Sequence, residues 1–195
     1  MNYHNISYPD QNNGDGLRVV LWLSGCSHHC KGCQNTQTWD INSGIPFDEE
    51  AKEEIFRELR HDYISGITFS GGDPLHENNL DEILKLTSEI RSRFPDKTIW
   101  LYTGYEWEEL TQNLPRLHML DYLLLEEYED KNRFSDEEYR AWQRFNILKY
   151  VDVLVDGRYV DELRDISLHW RGSSNQRVIN VQKSLKKGEI VLWSS

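Results

Sequence analysis

All three cysteines of this 195-residue chain fall inside one short stretch, Cys26-Ser27-His28-His29-Cys30-Lys31-Gly32-Cys33, directly after an apolar run. No cysteine elsewhere is available for an intrachain disulfide. An odd, clustered set points to a metal or redox centre rather than to a disulfide framework. The spacing C-x3-C-x2-C puts three thiols on one compact loop, which suits three corners of a [4Fe-4S] cubane. The fourth iron is then left to solvent, to another residue or to a ligand. A Cys3His zinc site is the alternative, with His28, His29, His61, His76, His118 or His169 as the fourth donor. Structural zinc ligands usually come as two separated pairs, and no second pair follows here.

The rest of the chain alternates short apolar runs with helical periodicity. Residues 17–24 (LRVVLWLS) read as a buried strand that stops at Gly25 and runs into the cysteine loop. Residues 48–59 form a helix with Asp48 as N-cap. Residues 64–69 are a second strand, ending in Ser70-Gly71-Gly72-Asp73-Pro74. Residues 78–93 carry an apolar helical stripe of Leu80, Ile83, Leu84, Leu86 and Ile90. Residues 98–102 are a third strand before Thr103-Gly104-Tyr105, and residues 106–110 a short helix. Residues 121–125 and 151–155 are two more strands, the latter ending in Asp156-Gly157. Residues 177–181 and 189–193 read as strands joined by a turn at Lys186-Lys187-Gly188. Strands alternating with helices predict βαβ units, an α/β class and a largely parallel sheet. The glycine-containing motifs then share the edge where α/β folds assemble their sites. Residues 126–149 interrupt the pattern. They read as an inserted amphipathic helix with a capping-box start at Ser135-Asp136-Glu137-Glu138. That helix either packs its aromatics on the body or docks a partner.

With 22 basic against 33 acidic residues, the net charge is -11, which argues against general nucleic-acid binding. No apolar run reaches the length of a membrane span. The polar N-terminus lacks the apolar core of a signal peptide, so the expected location is the cytoplasm. A single domain over residues 1–195 is expected, carrying the insertion at about 126–149.

The cysteine loop after a first strand, followed by a Gly-Gly-acid-Pro turn after the second, resembles the radical S-adenosylmethionine enzymes. Gly14-Asp15-Gly16-Leu17-Arg18, Cys30-Lys31-Gly32-Cys33-Gln34-Asn35, Trp39, residues 69–75 (FSGGDPL), 100–105 (WLYTGY), 152–157 (DVLVDG) and 171–177 (RGSSNQR) narrow the likeness. Together they are similar to the activating proteins of anaerobic ribonucleoside-triphosphate reductase. The resemblance implies an incomplete TIM-type β/α barrel of the radical SAM type. It implies a [4Fe-4S] cluster on Cys26, Cys30 and Cys33, with S-adenosylmethionine chelating the open iron. Gly72 and Asp73 would accept from its ammonium end, and the backbone at Gly32 and Gln34 would face its adenine. Thr103 would approach the methionine or ribose. Asp156 and Asn175 are either further contacts or turn and cap residues. The implied reaction is reductive cleavage to a 5′-deoxyadenosyl radical that abstracts hydrogen from a glycine of the reductase. The electron would come from an external donor such as reduced flavodoxin, since no cysteine remains for an accessory cluster. Two positions depart from the superfamily pattern: Gly32 stands where an aromatic is common, and Asp73 where glutamate is usual. An activase of a pyruvate formate-lyase-like protein, a radical enzyme acting on a small molecule, and a non-enzymatic zinc or iron–sulfur scaffold are the rival readings.

Overall fold

The computed structural model describes residues 1–112 and 135–194. Its centre is a seven-stranded mixed sheet in the order β3-β1-β2-β4-β5-β6-β7. Here β1 is Asn2–Asp10, β2 Leu17–Leu23, β3 Ile45–Pro46 and β4 Ile64–Gly71. β5 is Thr98–Tyr102, β6 Val153–Asp156 and β7 Arg177–Asn180. β2, β4, β5 and β6 run parallel, so their C-terminal ends share one edge. β1 and β3 on one side and β7 on the other pair antiparallel. Among the described residues the sheet is open, bounded by β3 and β7.

Strand alternation sends the two side-chain sets to opposite faces. Val19, Leu21 and Leu23 of β2, Ile67 and Phe69 of β4, Ile99 and Leu101 of β5 and Leu154 of β6 join one buried cluster. The helices cover this face: α1 (Glu49–Leu59), α2 (Leu80–Arg93), α3 (Trp107–Thr111), α4 (Asp136–Leu148) and α5 (Val181–Lys187). Each fully buried Leu, Ile or Phe there contributes about 1.5–3 kcal/mol of apolar transfer energy. The other face carries Trp100, Val153 and Val155, packed by Tyr102, Trp170, Val178 and Trp193. It also buries a cation, Arg18.

Several expectations survive in detail. Asp48 caps α1 by accepting from Ala51 N at 3.0 Å. Ser135 and Glu138 close the expected capping box of α4. α4 buries Gln143, Arg144, Ile147 and Leu148. The helix packs on the body through these residues, not through Tyr139, Trp142 and Phe145, which stay half-buried, and Gln143 Nε2 donates to Asp81 Oδ1 at 2.5 Å.

Other expectations need correction. The N-terminal strand β1 has no apolar run to announce it. Its half-buried polar residues are held by the backbone ladder to β2. The predicted two-strand C-terminus is instead a strand and a helix. Residues 181–187 form α5, where Asn180 Oδ1 accepts from Lys183 N at 3.0 Å and Gly188 ends the helix in the left-handed conformation. Residues 189–193 reduce to an isolated bridge between Ile179 and Leu192. The strand expected at 121–125, and the part of the insertion before residue 135, lie outside the described residues.

Candidate functional site

The motifs that follow β2, β4 and β5 meet at the shared C-terminal edge. The cysteine loop is set by Gly25 N donating to Thr38 O at 2.8 Å and Cys26 N donating to Trp39 O at 3.1 Å. Cys33 N donates to Cys30 O at 3.1 Å, closing a turn that carries the last two thiols. All three cysteines are half-buried and free. Burial pushes the Cys26 thiol up to about 11 and raises Cys30 as well. Without a metal these groups keep their protons at neutral pH, and a bound metal would displace them.

The Gly71-Gly72-Asp73 turn is stitched to the residues just before the first cysteine. Gly72 N donates to Leu23 O at 2.8 Å and Asp73 N to Gly25 O at 2.7 Å. Asn79 Nδ2 reaches Ser24 O at 2.9 Å and Asp73 O at 3.1 Å. A Cβ on Gly72 would come within 2.5 Å of Gly25 O, so only glycine permits this approach.

Asp73 is 2 % exposed. Its carboxylate accepts from Leu75 N at 2.8 Å, Thr103 Oγ1 at 2.9 Å, Gly104 N at 3.1 Å and His28 Nε2 at 2.7 Å. Three loops therefore converge on one buried carboxylate. His28, one of the donors weighed for a zinc site, is part of this cluster; His29 is exposed and packs on Trp39.

Cys33 and Gln34 lie in the wall of a cavity of about 480 Å³ that Trp22, Ser70 and Tyr102 also line, on the sheet face opposite the helices. Asp73 and Thr103 do not line it. Arg171 does, and its Nε is a buried donor with no protein partner among the described residues. Neither its position in the wall nor this unsatisfied donor was legible beforehand, except that Arg171 opens the RGSSNQR stretch.

That stretch has a clear local task. Ser173 Oγ accepts from Val160 N at 3.2 Å, Asn175 Nδ2 donates to Arg158 O at 2.8 Å, and Gln176 Nε2 donates to Gly157 O at 3.0 Å. Residues 157–163 are thereby held as a strap over the cysteine loop. Gly32 has φ +76°, and a Cβ there would sit 2.6 Å from Asp161 Oδ1. The left-handed φ accounts for glycine at position 32, whereas the exposed Asp161 side chain could move aside for a Cβ. Gly32→Ala is expected to cost about 1–2 kcal/mol from the left-handed backbone angle. Asp161→Ala, which leaves that angle untouched, should cost less. Urea unfolding of both variants checks this, and an unchanged Gly32→Ala midpoint would contradict it.

Asp156 and Asn175 serve the frame. Asp156, 1 % exposed, accepts from Trp107 N at 2.8 Å and from Arg177 Nε at 3.0 Å. Arg177 also pairs with Glu108, whose carboxyl it holds below the usual range.

The donor set fits an iron–sulfur cluster. Each thiolate of a cubane binds its own iron, so the sulfurs surround a cluster rather than converge on a point. Among the described residues no group of three or more His, Cys, Asp or Glu side chains is gathered to hold a single metal ion.

This arrangement defines a class, and the chain belongs to it: the model of the 4Fe-4S single cluster domain family matches residues 12–179. Within that class the chain groups with proteins named anaerobic ribonucleoside-triphosphate reductase-activating protein. It is 41 % identical to the one from Escherichia coli (strain K12) over 180 residues, which covers 91 % of this chain and 97 % of the relative. It is 38 % identical to that of Vibrio cholerae over 178 residues, 90 % of this chain and 96 % of the relative. For Enterobacteria phage T4 the figure is 39 % over 178 residues, 91 % of this chain and 93 % of the relative. No helix among the described residues is long and apolar enough to cross a membrane.

Proposed function

We propose that this chain is a glycyl-radical activating enzyme of the radical S-adenosylmethionine type, acting on anaerobic ribonucleoside-triphosphate reductase. The observation that carries the reading is the placement of three half-buried thiols on one loop, with Cys33 opening onto a 480 Å³ cavity at the C-terminal edge of the parallel strands. When bound, the cluster supplies one electron that splits S-adenosylmethionine into methionine and a 5′-deoxyadenosyl radical, which takes a hydrogen atom from a glycine Cα of the reductase.

The chain's own residues bind and orient. Cys26, Cys30 and Cys33 would hold the cluster as its three protein ligands, with its remaining site available to the cosubstrate. Gly72, Asp73 and Thr103 form the opposing turn. Gly32 and Gln34 place backbone beside the last thiolate. Arg171 lines the cavity wall, its Nη1 donating to Gln176 O at 3.1 Å. On this reading the parallel strands β2, β4, β5 and β6 would belong to an incomplete β/α barrel within a single domain, with an open side to admit a polypeptide loop. The electron comes from an external one-electron donor such as reduced flavodoxin, and the location is cytoplasmic.

The test is anaerobic reconstitution with iron and sulfide, then incubation with S-adenosylmethionine and dithionite. About four irons and four sulfides per chain are expected, as for one cubane, with 5′-deoxyadenosine as product. Adding the reductase should produce a glycyl doublet by electron paramagnetic resonance. A doublet obtained only with a pyruvate formate-lyase-like protein would reassign the substrate. One zinc and no sulfide would replace the enzyme with a scaffold.

A further inference from the structure

The Gly-Gly-Asp turn and the cysteine loop are joined by one side-chain bond, from His28 to Asp73. His28 lies between Cys26 and Cys30, yet its side chain turns away from solvent and is 5 % exposed. Its ring stands edge-on to Tyr105, with centroids 4.9 Å apart. Gly104 packs against the ring, where a Cβ would collide with it. Such a site admits one orientation of the imidazole.

A carboxylate has about four lone-pair positions. In Asp73 they are taken by Leu75 N, Thr103 Oγ1, Gly104 N and His28 Nε2. A carboxylate only accepts, so the hydrogen shared with His28 sits on Nε2. Little capacity is left for the ammonium group of a ligand. The aspartate's shorter reach, compared with glutamate, keeps the carboxylate inside the protein.

We propose that His28 is a positioning residue: through buried Asp73 it locks the cysteine loop to the Gly-Gly-Asp turn, and so sets the spacing that S-adenosylmethionine must bridge between the open iron and the turn. Asp73 acts here through His28 and Thr103, not as a direct acceptor for the cosubstrate. This deepens the functional reading above and rests on it.

The test compares full-length wild type with His28→Leu, His28→Gln, Asp73→Asn and the His28→Leu/Asp73→Asn double variant, all reconstituted anaerobically. His28→Leu is expected to keep wild-type iron and sulfide. Its KM for S-adenosylmethionine should rise about tenfold or more, the scale set by one lost hydrogen bond to a charged group. The change that S-adenosylmethionine induces in the reduced cluster's paramagnetic spectrum should weaken in parallel. His28→Gln, which still carries an N–H, should recover part of both. The double variant should be no worse than the poorer single one, because both break the same link. A wild-type KM and spectrum in His28→Leu, additive losses in the double variant, or outright loss of the cluster in His28→Leu would each overturn the proposal. A wild type that takes up cluster and cleaves the cosubstrate keeps the functional reading whatever the variants do. A wild type that does neither overturns both.

Discussion

Cys30→Ala is expected to lose cluster binding and every activity that depends on it, with the fold left standing. The chain holds three cysteines, so removing one leaves two thiolates and no substitute sulfur. Burial raises the thiol of Cys26 to about 11 and lifts that of Cys30, so these two ligands must give up protons that their surroundings favour keeping. Iron binding drives that release, and it does so only when several donors act on one cluster. Two thiolates give too little. Even changes in the groups behind a metal's ligands cost about 10- to 100-fold in affinity, so loss of a ligand should exceed that. Iron and sulfide content after reconstitution should fall to background, and 5′-deoxyadenosine formation with it. The loop itself is shaped by Gly25 N to Thr38 O, Cys26 N to Trp39 O and Cys33 N to Cys30 O, all backbone bonds that alanine retains. Circular dichroism and urea unfolding of the apo chain should therefore match wild type. A Cys30→Ala chain that kept its inorganic sulfide and still cleaved S-adenosylmethionine would end the coordination argument.

The parts of the site that were legible in the sequence are those whose signal is local. β2, β4 and β5 are short apolar runs, each ended by glycine. The parallel rule then carries their following motifs to one edge without further information. The capping residues Asp48 and Ser135 sit next to the helices they start. What escaped reading depends on distance or on backbone alone. His28 and Asp73 are 45 positions apart, and nothing in either residue's neighbours announces the pair. The strap over Gly32 gave no local signal, since the glycine there answers to its left-handed φ and not to a fixed neighbour. β1 is stabilised by its ladder to β2 rather than by burying an apolar face, so periodicity was silent. At the C-terminus the β-branched Val178, Ile179 and Val181 masked the helix start, although Asn180 and Gly188 are a start and stop pair at the right spacing.

Arg18→Ala should be the costliest single change away from the cysteines. Arg18 is fully buried on β2, on the sheet face opposite the helices. Burial lowers its guanidinium to about 10, so it remains charged at neutral pH. Among the described residues no carboxylate pairs with it, and dipoles satisfy it instead. Nε donates to Thr68 Oγ1 at 2.7 Å, Nη1 to Thr98 Oγ1 at 2.9 Å and to Asp15 O at 3.0 Å, and Nη2 to Ile67 O at 2.6 Å and Thr98 O at 2.9 Å. Its carbon atom Cζ lies 5.3 Å from the Trp100 ring centroid. Thr68 in turn donates to Asn13 O at 2.7 Å, and Trp193 Nε1 donates to Asp15 Oδ2 at 2.6 Å. The guanidinium therefore ties the loop before β2 to β4, β5 and the C-terminal segment, and that loop supplies Asn12 and Asn13 to the cavity wall. Alanine would leave a cavity beside Trp100 and strand several buried acceptors, for a loss of about 3–5 kcal/mol. Total stabilities are typically about 5–15 kcal/mol, so the variant should sit near the edge of folding. Arg18→Met fills most of the volume without donors and should fall between the two. Arg18→Lys keeps the charge but not the planar fork, so it should not restore wild type. Urea unfolding followed by tryptophan fluorescence reads all three. An Arg18→Ala midpoint within about 1 kcal/mol of wild type, well below the large-to-small core range, would mean that the loop is held by its other contacts and that Arg18 only fills space.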